Sequence, residues 1–127
     1  MNWLAVGIGA AFGAWLRWGL GVLLNTFHVH LPLGTVVANL FGGYLIGLSV
    51  AFFNHYSQIP PEWRLFIITG FLGSLTTFST FSAESMSLLQ RSEYGWAIIH
   101  SLVHLAGSTL FCIAGFATYR FLTNNFS

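Results

Sequence analysis

The chain contains no lysine and no aspartate, and only 6% of its residues are charged. Soluble domains carry roughly 25% charged residues, so a water-facing surface cannot be assembled from this composition. The charges that exist are Arg17, Arg64, Arg91 and Arg120 against Glu62, Glu84 and Glu93. Formal net charge is +1, which by itself says nothing about nucleic-acid or acidic partners. Without aspartate there is no Ser/His/Asp set, and no two carboxylates lie close enough in sequence to act as a pair except across a connector. The single cysteine, Cys112, excludes an intrachain disulfide framework; it sits in an apolar run and reads as a small buried hydrophobe. No His/Cys spacing suggests a zinc site, and glycine-rich phosphate loops are missing. An enzyme is not expected.

What is abundant is hydrocarbon. Hydrophobic residues make up 55% of the 127 positions, and mean hydropathy is +0.73. A membrane helix needs about 20 apolar residues, and four windows qualify: 3–24, 33–53, 65–89 and 95–120. The connectors between them read "NTFHVHLP", "NHYSQIPPEW" with its Pro60-Pro61 break, and "QRSEYG". The first window has no basic segment before it and is followed by further spans, so it reads as a retained helix. The expected fold is an all-α membrane protein, one domain over 1–127, with nothing left for an extramembrane domain.

With four spans, Arg64 and Arg120 fall on one side, Arg91 on the other, and Arg17 on the half of the first span nearer to Arg91. Orientation is set by the Lys/Arg excess, and here the excess nearly vanishes. Such a chain can insert either way up, which permits an antiparallel homodimer.

Polar groups in hydrocarbon mark functional candidates. Asn39 stands alone amid "TVVANLFGG". His100, His104, Ser108 and Cys112 recur every four residues on one face of the fourth helix, with His100 nearer the connector and expected at the interface. Gly9–Gly13 and Gly43–Gly47 are small-xxx-small pairs, read here as helix-packing points. The third span holds "GSLTTFSTFS" at 73–82. Glycine and competing hydroxyls weaken a helix, and in lipid a broken backbone survives only when buried in protein or lining a cavity. Freed carbonyls can ligate a hard cation. Freed amides, hydroxyls and the electropositive edges of Phe78 and Phe81 can touch an anion without trapping it. The plainer alternative is a kinked helix whose hydroxyls bond back to the backbone.

These stretches, "GAAFGAWLRW", "GTVVANLFGG" and above all "TGFLGSLTTFSTFSAE", resemble the Fluc/CrcB family of small bacterial fluoride channels over nearly the whole chain. The resemblance implies a four-helix fold with a break in helix 3, assembled as an antiparallel dual-topology homodimer in the bacterial inner membrane. It implies passive F⁻ export, and so lower fluoride toxicity, with no organic cofactor and no nucleic-acid partner. By position, it assigns the fluoride path to Asn39, Phe78, Phe81, Thr80 and Ser108, with His104 added from the polar face of helix 4. It assigns a structural Na⁺ at the dimer centre to the backbone carbonyls of Gly73 and Thr76. It leaves the roles of Arg17 and Glu84 open. The family's usual Gly-Gly before the threonine cluster is Gly73-Ser74 here. The alternatives are a proton-coupled small multidrug exporter, for which Glu84 is the sole candidate carboxylate, and a non-transporting membrane scaffold.

Overall fold

In the computed structural model, which describes residues 1–126, the protein is all helical. We number its four long helical spans in chain order: α1 (Asn2–Leu24), α2 (Leu33–His55), α3 (Pro61–Gln90) and α4 (Tyr94–Phe126). All four are long and apolar enough to cross a membrane. Helices are the favoured solution there because each backbone polar group is bonded within its own segment.

Two close crossings hold the bundle. α2 packs chiefly on α4, and α1 chiefly on the first part of α3. At the first crossing, a Cβ on Gly47 would overlap the Cys112 carbonyl, and one on Gly115 would overlap the Tyr44 carbonyl. At the second, Gly9 and Gly70 face each other: a Cβ on either would lie 3.2–3.3 Å from the other's Cα. Backbones can approach this closely only where side chains vanish. The pattern on the outside is apolar, with Trp3, Trp15, Trp18 and Leu105 largely exposed. Polar Thr35, Asn39, His100 and His104 are buried inside.

α3 is irregular. It starts with a short α turn, Pro61–Arg64, and widens into a π-helix over Leu65–Leu72 where it crosses α1. α-Helical geometry returns for Gly73–Leu75 and is left at Thr76, which is extended at φ −81° and ψ 153°. It resumes over Ser79–Gln90. The chain leaves helical geometry directly above the buried cluster of Ala38, Leu72 and Leu75, so the irregular backbone rests on protein.

A candidate anion site at the interrupted third helix

The residues around Thr76–Phe78 explain how exposed main chain is tolerated. Asn39 on α2 clamps Thr77: its Nδ2 donates to the Thr77 carbonyl at 3.0 Å, and its Oδ1 accepts from the Thr77 amide at 2.7 Å. The Thr77 hydroxyl accepts from the Thr80 amide at 3.0 Å, which caps the second half of α3. These two diversions have a consequence. In a continuous helix the Thr77 amide would return to the Gly73 carbonyl, and the Thr80 amide to that of Thr76. Both carbonyls named at the sequence level as cation ligands are therefore the ones whose helical donors have been drawn elsewhere. Thr76 behaves as the plainer alternative expected, its hydroxyl bonding back to the Leu72 carbonyl at 2.9 Å.

Arg17 and Ser74 serve the same segment from the α1 side. Arg17 Nε donates to the Ser74 carbonyl at 3.0 Å, and its Nη1 reaches the Thr80 hydroxyl at 3.5 Å. A cation at the C-terminal end of a half-helix also meets the negative end of its dipole. Ser74 donates from its hydroxyl to the Ala10 carbonyl at 2.7 Å, on the face packed against Gly13. The serine at this position thus ties α3 to α1.

A recess of about 350 Å³ opens beside the interruption, lined by Asn39, Gly73, Thr76, Thr77, Phe78, Phe81, His104, Leu105, Ser108 and Thr109. Seven of the eight candidate residues meet there. No formally charged side chain lines it. Thr80 stands apart, its hydroxyl beside Arg17. Phe78 and Phe81 lie 5.4 Å apart between centroids, and Phe81 also contacts the rings of His100 (4.8 Å, stacked) and His104 (5.0 Å).

Behind the rings runs a polar chain that sequence reasoning only partly foresaw. His104 Nδ1 lies 2.9 Å from Asn39 Nδ2. His100, expected near the membrane interface, is fully buried within the protein. Its Nε2 meets Glu84 at 3.0 Å and its Nδ1 meets the Ser85 hydroxyl at 3.0 Å. Glu84 also accepts from the Thr35 hydroxyl at 2.6 Å. The signal for Glu84 and Arg17 was available: a charge inside a span requires a partner. The partners themselves lie between 16 and 63 positions away in sequence, beyond any local pattern.

The chain is similar to known proteins over most of its length. A family model described as "CrcB-like protein, Camphor Resistance (CrcB)" matches residues 4–116. A protein of Cupriavidus pinatubonensis is 60% identical over 122 residues, covering 96% of this chain and 97% of its own. Relatives from Pseudomonas putida and Nitrosospira multiformis are each 54% identical, covering 94% and 95% of this chain and 94% of their own lengths. All three are named fluoride-specific ion channel FluC. Those are names of channels, not enzymes, and on the reach of these matches the chain belongs to the Fluc/CrcB family.

Proposed function

We propose that the protein is a fluoride-selective passive channel through which F⁻ leaves the bacterial cytoplasm, lowering fluoride toxicity. The observation that carries this reading is the recess at the interrupted helix. It gathers hydroxyl groups, a histidine and two phenylalanine rings in a chain of four membrane-spanning helices, and no formally charged side chain lines it. F⁻ is small and strongly hydrated, so it must exchange water for donors one at a time, and a fixed cation would hold it. Phe78, Phe81, Ser108 and His104 can take part in that exchange, with Asn39 at its base. Thr80 joins only if the path extends around the second half of α3. A weak acid enters cells neutral and ionises inside. The membrane potential then favours anion exit by roughly 2.3 kcal/mol per 100 mV, so no energy-coupling site is required.

The working unit in this proposal is an antiparallel dual-topology homodimer in the inner membrane. Gly73 and Phe78 are exposed on the single protomer, as residues facing a second copy would be. A structural Na⁺ fits the Gly73 and Thr76 carbonyls, because those oxygens have lost their helical donors to Asn39 and Thr77. When bound, it supplies a compact positive charge that joins two interrupted helices. The exporter alternative gains no support: Glu84 is engaged by Thr35 and His100, and the relatives bear a channel's name.

The test is efflux from liposomes holding purified protein. With a potassium ionophore as shunt, internal F⁻ is expected to empty and internal Cl⁻ to stay. Equal loss of both anions would remove selectivity, and retention of both would remove the channel.

A further inference from the structure

Both N–H hydrogens of the Asn39 amide are engaged, which argues against its being a direct donor to a permeating ion. The Thr77 amide can only donate and the Thr77 carbonyl can only accept. Together these fix which end of the Asn39 side chain is oxygen and which is nitrogen. The nitrogen has two hydrogens; one goes to the Thr77 carbonyl, and the other faces His104 Nδ1 at 2.9 Å. Nδ1 must therefore accept. An imidazolium would oppose two N–H groups there, so the ring is neutral and its one proton resides on Nε2. Among the described residues, Nε2 is buried with no hydrogen-bond partner. A buried donor left unmade is destabilising, and this one belongs to a residue that lines the recess.

We propose that Asn39 is a positioning residue. By reading the Thr77 backbone it locks His104 into the Nε2–H tautomer, leaving that N–H as a neutral donor for a small anion. This rests on the channel reading above and adds to it which atom gives the hydrogen and what aims it. The same geometry argues against a cation here. Glu84, His100 and His104 bring potential ligand atoms within 4.8 Å of one another. A metal on His104 Nε2 would need the proton on Nδ1, against the Asn39 donor, and Nδ1 itself is already taken.

The test combines a tautomer readout with flux. In ¹⁵N-histidine-labelled protein, the His104 ring is expected to show protonated Nε2 and bare Nδ1. Asn39→Asp turns the atom facing the ring into an acceptor and is expected to move the proton to Nδ1. In liposomes, His104→Gln keeps a donor near Nε2 and should retain most of the fluoride flux. His104→Phe keeps the ring but has no donor, and should lose about tenfold or more, the size of one hydrogen bond to a charged partner. Both variants should elute with wild-type size. A proton on Nδ1 in the wild type, or full flux through His104→Phe, would overturn the proposal. Wild-type protein that carries no fluoride would overturn the channel reading and the use of the donor, while the spectra would still report the tautomer.

Discussion

Asn39 and Arg17 show how single side chains make a non-helical segment tolerable in lipid. Each takes up backbone groups that a continuous helix would have satisfied itself. Asn39→Ala leaves the Thr77 amide and carbonyl without partners. The expected cost is about 1–3 kcal/mol per buried group, with fluoride flux reduced and dimers still formed. Thermal unfolding in detergent and liposome flux check the two parts, and unchanged values in both would place Asn39 outside the site. Arg17→Ala should destabilise by about 1.5–3 kcal/mol, the range for bonds to charged groups. Arg17→Lys should recover only part, because Nε and Nη1 of one planar guanidinium serve Ser74 and Thr80 at once. Full recovery in the lysine variant, measured as melting temperature, would show that charge alone matters. At this scale the candidates were legible as residue types: a lone asparagine or arginine in hydrocarbon announces a partner. The partner was not legible, since the Thr77 and Ser74 groups it meets are main chain, and main chain has no sequence signature.

The spans themselves were plain, because apolar length is a one-dimensional property of the chain. The π-helical Leu65–Leu72 stretch was not foreseen, since it arises where α3 crosses α1. The surroundings of His100 were not legible for a similar reason: the Phe81 ring and the Glu84 carboxylate that meet it come from α3. Helix packing yields its own prediction. Gly47→Leu drives a side chain into the Cys112 carbonyl and the Phe116 amide, backbone atoms that cannot rotate away. It should cost at least the 1–3 kcal/mol typical of overpacking and part α2 from α4. Gly19→Ala, where an added methyl meets nothing within 4 Å, should stay within about 0.5 kcal/mol. Equal melting temperatures for the two variants would contradict the crossing as described.

The molecule turns Trp3, Trp15, Trp18 and Leu105 outward, and buries Thr35, Asn39, His100 and His104 beside a small apolar core that includes Leu72, Leu75 and Leu88. On the dual-topology proposal, four arginines spread over both ends would leave its orientation nearly unbiased. Small additions of charge should therefore choose one orientation. Ser57→Lys with Gln58→Lys, both on an exposed connector, should bias that end toward the cytoplasm by the positive-inside rule. Ser87→Lys with Gln90→Lys should do the reverse. For an antiparallel dimer, each variant expressed alone should protect fluoride-sensitive cells poorly, and the two together should protect well. Strong protection by either one alone would speak for parallel or single-copy function.

The most direct measurement is the current through purified protein in a planar bilayer, with fluoride on both sides at unequal concentration and chloride balanced. The account predicts that the reversal potential follows the fluoride gradient and ignores an added chloride gradient. A reversal potential that tracks chloride equally, or a silent membrane, would contradict it.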